Sequence, residues 1–194
     1  ITIGDDLYTF SITTGRADRV TTSPGPKLEA TFSPDGRSVA FVKNNDLFVA
    51  RLGSSGEKAL TSDGSADILN GTLDWVYSEE LYGRGNRRGY WWSPDSSGIA
   101  FLRFDERAVP ETVLIDDIPY RPDIDRVHYP KAGDPNPTVR LGVASPSGEG
   151  TRWVDTAQYS DFLVVNVGWT PDSRAVVFQI QNRTQTWLDL NRAD

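Results

Sequence analysis

The chain has 194 residues, 38% of them hydrophobic, which is ordinary for a folded protein and leaves room for one large domain or two small ones. Its formal net charge of −7 and its lack of any basic run argue against nucleic acid or an anionic membrane as partner and suit a cationic ligand better. Cys is absent, which excludes disulfides and thiolate metal sites, and no stretch approaches the roughly 18 apolar residues of a membrane span.

From the first residues the pattern is alternation rather than helical periodicity. Leu7–Ser11, Leu28–Phe32, Ser38–Lys43 and Asp46–Leu52 each have strand length and are bounded by Gly, Pro, Asn or Asp. Because the chain lacks Met and opens at Ile1 directly before a strand-like run, an internal fragment of a longer protein is expected. The turn Ser33-Pro34-Asp35-Gly36 sets Pro where φ near −65° is wanted, Asp where its carboxylate can bond local amides, and Gly at the exit. Related units return at Trp92-Ser93-Pro94-Asp95 and Trp169-Thr170-Pro171-Asp172. Each leads into a strand of similar make-up: Ser38-Val39-Ala40-Phe41, Gly98-Ile99-Ala100-Phe101 and Ala175-Val176-Val177-Phe178. Repeats at tens of residues that each carry a small sheet predict an all-β fold, a partial β-propeller of three to four blades with four-stranded antiparallel sheets. Open edges at both ends would need cover from a neighbour.

The copies are about 60 and then about 77 residues apart, so insertions are expected inside blades. The first insertion holds Asp74-Trp75-Val76-Tyr77-Ser78-Glu79-Glu80-Leu81-Tyr82. Asp74 is a good N-cap and Gly83 a good stop, which predicts one short helix near 75–82. Glu79 and Glu80 then fall in its last turn, where the free carbonyls already carry negative charge, and a cation bound there would relieve the repulsion. On the residues alone they are equally two solvated carboxylates, with Glu80 paired to Arg84 at i, i+4 spacing. The second insertion, Glu106 to Pro137, is rich in Pro, Asp and Tyr and predicts extended or turn structure. Beyond it, Thr138–Ala144 and Thr151–Asp155 read as a hairpin, followed by strands at Phe162–Trp169, Ala175–Gln181 and Thr186–Leu190.

Among other candidates, Tyr77 and Tyr82 either pack the short helix or line a site beside it. Trp75, Trp91, Trp92, Trp153, Trp169 and Trp187 lie beside turns and strands and read as blade packing. His128, the single histidine, reads as structural, Asp116-Asp117 as a solvated loop, and Arg84, Arg87 and Arg88 as local neutralisation of the acidic helix end.

Asp74-Trp75-Val76-Tyr77-Ser78-Glu79-Glu80, Tyr90-Trp91-Trp92-Ser93-Pro94-Asp95, Ala100-Phe101-Leu102-Arg103-Phe104-Asp105-Glu106 and the run Tyr129-Pro130-Lys131-Ala132-Gly133-Asp134-Pro135-Asn136-Pro137 occur in this order. Together they closely resemble the propeller of dipeptidyl peptidase IV and its bacterial relatives, in the prolyl oligopeptidase family. The resemblance implies an eight-bladed propeller joined to an α/β-hydrolase domain outside residues 1–194, and an exported protein. It further implies that Glu79 and Glu80 bind the N-terminal ammonium of a peptide substrate, so that Xaa-Pro or Xaa-Ala dipeptides are released by the hydrolase domain's Ser-His-Asp triad. No catalytic residue, metal or cofactor is expected in this chain, which has no Gly-x-Ser-x-Gly elbow and should be inactive alone. The expected partners are that peptide, the hydrolase domain and, for the parent protein, a second copy of itself. The rival reading is a non-catalytic β-propeller that binds a peptide or protein.

Overall fold

Two runs, Ser38–Lys43 and Ile99–Asp105, are apolar at nearly every position, and a strand of that kind is stable only when both of its faces are covered. The computed structural model, which describes residues 1–54 and 56–194, covers both of them by stacking sheets face to face. The first sheet holds β1 (Thr2–Ile3), β2 (Asp6–Phe10) and β3 (Ala17–Arg19). The second is a complete four-stranded meander of β4 (Leu28–Phe32), β5 (Ser38–Lys43), β6 (Asp46–Arg51) and β7 (Glu57–Ala59). The third runs from β8 (Ile68–Asn70) and β9 (Tyr90–Trp92) through β10 (Ile99–Asp105) to β13 (Thr138–Ala144) and β14 (Thr151–Trp153). The fourth is β15 (Phe162–Trp169), β16 (Val176–Asn182) and β17 (Leu188–Ala193). All pairings within them are antiparallel.

The side-chain period of two then assigns the core. On β5, Val39 and Phe41 meet Leu7 of the first sheet, while Ala40 and Val42 meet Tyr90, Ile99 and Phe101 of the third. On β10, Ile99 and Phe101 face back to the second sheet, and Ala100, Leu102 and Phe104 face Val164, Val176, Phe178 and Ile180 of the fourth. Each apolar cluster is therefore a blade–blade interface, and the partial β-propeller read from the sequence is the observed fold.

The three Ser/Thr-Pro-Asp turns are built alike. The hydroxyls of Ser33, Ser93 and Thr170 each donate to the Asp two residues on, at 2.6 Å in all three copies. The same hydroxyls accept the N–H of Ser38, Gly98 and Ala175. Successive turns are also joined: the Asp35 N–H donates to Ser96 Oγ, and the Asp95 N–H to Ser173 Oγ, each at 3.0 Å. Ser96 and Ser173 hold positive φ (65° and 60°) at the place that Gly36 fills in the first copy.

Five short strands, β1, β3, β7, β8 and β9, are not among those read from the sequence, because two or three residues carry too little pattern and are held by their tertiary partners. The second insertion is more ordered than its prolines suggest. It forms a hairpin of β11 (Glu111–Asp116) and β12 (Asp123–His128), paired only to each other, with Pro119 and Pro122 kept to the turn. The hairpin is an arm with exposed apolar residues, Ile115, Ile118, Tyr120 and Ile124 among them.

Since Ser93 is fully buried and its hydroxyl satisfies both Gly98 N–H and Asp95, Ser93→Ala should cost about 1–2 kcal/mol in urea unfolding. The Ser93 hydroxyl is also the largest cause holding the Asp95 carboxyl down to about 2. A folded-state value below the unfolded one adds stability above the ordinary carboxylate range that is lost as pH falls through 2. In Ser93→Ala the Asp95 carboxyl resonance should titrate closer to the ordinary range.

Candidate functional site

One edge of β10 is shared by two strands. β9 pairs with Ile99, Ala100 and Phe101, and β8 pairs with Arg103, Phe104 and Asp105. Between them the backbone of Leu102 is satisfied by glycines: its N–H donates to Gly89 O and its carbonyl accepts from Gly71 N–H, both at 2.9 Å. The segment between the glycines leaves the blade through a closed neck, because Gly89 N–H donates to Gly71 O and Leu73 N–H to Arg87 O. A Cβ on Gly71, which has φ +75°, would meet Leu47 Cδ1 at 3.2 Å, and one on Gly89 would meet Leu73 Cδ2 at 3.1 Å.

Asp74 caps the ejected segment as its sequence position predicts. Its carboxylate accepts from the N–H groups of Val76 and Tyr77, each at 3.1 Å, while the side chain is buried. The helical turn covers 75–81 and ends before Gly83, which has φ +93°. Its first bond is α-type, Ser78 N–H to Asp74 O. Its last is π-type, Tyr82 N–H to Tyr77 O at 2.9 Å.

The wider register decides where the side chains point. Tyr77 and Tyr82, five residues apart, stack with ring centroids 6.1 Å apart and both pack into the core between the third and fourth sheets. Tyr77 is wholly buried, with its hydroxyl accepting from Val164 N–H at 3.0 Å, so it packs the helix and lines no open surface. Tyr82 is partly buried and its hydroxyl donates to Val164 O at 3.1 Å. Burial raises the pKa of both phenols. Glu79 is half-buried and Glu80 exposed, and among the described residues neither carboxylate accepts a hydrogen bond. Arg84 pairs with Glu79 at 3.7 Å rather than with Glu80, because the chain leaves the helical turn at Gly83, which has φ +93°, so that i, i+4 spacing does not extend to Arg84. That guanidinium is 88% exposed, so the contact is weak.

At the opposite end of the turn lies a second group of charges that the sequence reading missed. A cleft of about 300 Å³ is lined by Asp74, Trp75, Arg87, Glu106, Arg126 and His128. Glu106 is only 6% exposed. Burial, and next the nearby charge of Asp74, push its carboxyl up to about 7, with the His128 charge opposing them. Burial likewise raises Asp74 to about 6 against the pull of its two backbone bonds. His128 faces Val109 O at 2.9 Å and Asp67 Oδ1 at 3.1 Å. Both are acceptors, so a neutral ring satisfies one of the two contacts and a protonated ring satisfies both. Burial opposes that charge, but the bonds to Val109 and Asp67 outweigh it and raise the pKa. His128 thereby ties the base of the arm to the loop before β8, which is the structural role expected of it. Nothing in the spacing of Asp67, Asp74, Glu106 and His128 announces that they meet.

The remaining candidates are structural. Trp75 meets Tyr129 edge-on at 4.3 Å, Trp153 lies under Arg140 at 4.0 Å, and the Trp169 indole donates to Trp91 O at 3.0 Å, joining the third and fourth blades. Trp187 stacks on Tyr159. Asp116 accepts from Ile118 N–H in the turn of the arm.

A row of Ser/Thr-Pro-Asp turns and a blade whose edge strand is broken by a capped helical turn bearing adjacent carboxylates define a β-propeller protein with an acidic insertion. The profile of the dipeptidyl peptidase IV (DPP IV) N-terminal region matches residues 2–194, and the chain belongs to that family. It is 35% identical over 170 residues to a dipeptidyl peptidase 4 of Trichophyton tonsurans, an alignment that covers 80% of this chain and 21% of the relative. The crystal structure of Porphyromonas gingivalis dipeptidyl peptidase 4 superposes on 96% of the chain, and 26% of its own, with TM-score 0.86 and 31% identity. A Bacteroides ovatus structure shares the fold at TM-score 0.78 and 22% identity. The chain thus spans about a fifth to a quarter of the length of these relatives, which come from fungi as well as bacteria.

Glu106 gives this region a pH dependence of definite sign. Its carboxyl is about 7 in the folded chain and near the ordinary Glu value when unfolded, so folding takes up a proton between those values. Stability from this group is greatest below the lower value and falls as pH rises towards 7. Glu106→Gln should therefore raise stability at pH 8 by roughly 1–3 kcal/mol and flatten the stability profile between about pH 4.5 and 7, read by chemical denaturation across pH.

Proposed function

We propose that residues 1–194 form the part of a dipeptidyl peptidase IV-like serine exopeptidase that anchors the substrate's amino terminus. Glu79 and Glu80 accept the N-terminal ammonium of a peptide, and Xaa-Pro or Xaa-Ala dipeptides are released by a hydrolase domain of the same parent protein. The observation that carries this reading is the state of the two carboxylates. They sit side by side on a turn whose other faces are packed, and they have no protein hydrogen-bond donor among the described residues. An α-ammonium with a pKa near 8 brings three donors and a charge to that place. Holding it by charge-assisted bonds restricts cleavage to peptides with a free amino terminus and fixes which peptide bond reaches the nucleophile. The net charge of −7 favours approach of a cationic chain end.

In the intact parent, Glu79→Gln and Glu80→Gln should each lower kcat/KM for an Xaa-Pro substrate by about 10- to 150-fold, the equivalent of roughly 1.5–3 kcal/mol per charge-assisted bond, with the unfolding midpoint unchanged. The alkaline limb of the kcat/KM profile should move with the pKa of the substrate's amine. Unaltered kinetics in both variants would sink the reading.

A further inference from the structure

We infer that Tyr82, with Tyr77 beneath it, is a positioning residue for the ammonium site: the two phenols pin the glutamate-bearing turn to the next blade and so set where Glu79 and Glu80 stand. This rests on the ammonium-anchor reading and adds to it the group that fixes the anchor in space.

The two hydroxyls come from a segment inserted in the third blade, yet both end on one residue of the fourth. Val164 N–H donates to the Tyr77 hydroxyl at 3.0 Å and Val164 O accepts from the Tyr82 hydroxyl at 3.1 Å. Val164 lies on β15, which among the described residues pairs with β16 alone, so one edge of β15 has no strand partner there. Its ladder is interrupted there, with the register shifting between Val164 and Asn166. An edge peptide that is fully buried must find partners outside its sheet, and the two phenols supply both halves, one accepting and one donating. The contact is therefore directional at two points, unlike the surrounding apolar packing of Val76 and Leu81, which could slide.

The π-type bond is what permits it. With an α-type last turn the residue over Tyr77 would be Leu81, which has no hydroxyl. The extra residue puts Tyr82 there and sends Glu79 and Glu80 to the other side of the turn. The carboxylates are thus set against the fourth blade by a short rigid path of aromatic rings, although the chain joins them to the third. Removing the Tyr82 hydroxyl leaves the ring stacked between Tyr77 and Trp91 while freeing the turn to rotate. A proline peptidase substrate would then meet two carboxylates that remain charged but are misplaced.

The test is a ratio measured on the intact parent protein. kcat/KM is determined for an Xaa-Pro substrate with a free amine and for its des-amino analogue, in the native protein and in Tyr82→Phe, Tyr77→Phe, Glu79→Gln and Glu80→Gln. The preference for the free amine is expected to fall at least tenfold in the Gln variants and about three- to tenfold in Tyr82→Phe, mainly through KM, with Tyr77→Phe as the second, more buried variant. If the Gln variants lose the preference and both Phe variants keep it, or lower both substrates equally, the tyrosines are only structural and the inference is overturned. If the Gln variants keep the preference, the ammonium reading fails first and this inference with it.

Discussion

One edge of β10 is held by β13 along its whole length, and the other has two claimants. Seven residues long and covered on both faces, it is paired along that edge by β9 at its start and β8 at its end, and the two cannot be joined directly without a strand running through Leu102. The chain between them has to leave the sheet, and it can do so only where the backbone of Leu102 is satisfied at close range. Gly71 and Gly89 meet that demand because they bring carbonyl and amide in without a side chain in the way. The acidic turn exists where it does because a core strand is left with a gap one residue wide. Its position is thereby inherited from a buried strand of the core.

Acidic groups occupy both ends of that turn under opposite conditions. Asp74 is buried at the amino end, where free N–H groups and the helix dipole favour a negative charge, and its carboxylate is consumed by two backbone bonds. Glu79 and Glu80 come later in the turn and reach solvent, Glu79 in part and Glu80 more fully. The first arrangement stabilises the turn. The second leaves both carboxylates without a hydrogen-bond donor among the described residues. The buried Glu106 beside Asp74 is offset by the His128 charge, which the contacts with Val109 O and Asp67 favour.

How much of this could be read beforehand depended on whether the information was local. The three turns were legible because Pro, Asp and the hydroxyl residue act within five positions of one another, and the structure realises the same bonds in each copy. The Asp74 cap and the Gly83 stop were legible for the same reason. The π-type bond was not, since Tyr77-Ser78-Glu79-Glu80-Leu81 would also fit an α-turn, and what selects the wider register is Val164, more than eighty residues away. The same holds for Glu106, whose neighbours Asp74 and His128 come from positions more than twenty residues away. β1, β3, β7, β8 and β9 escaped because their neighbours, not their own composition, make them strands.

The turn-to-turn bonds at the rim carry a consequence for how such a chain can lengthen. Asp35 is held to Ser96 and Asp95 to Ser173 by a backbone donor and a side-chain hydroxyl, so adjacent blades are gauged against each other at a point that does not involve the chain running between them. About 60 residues pass between one pair of turns and about 77 between the next, yet the bond length is the same. Extra sequence can therefore be spent on an acidic turn or a projecting arm without changing the pitch of the assembly. The rim acts as a ruler whose marks are independent of what is written between them.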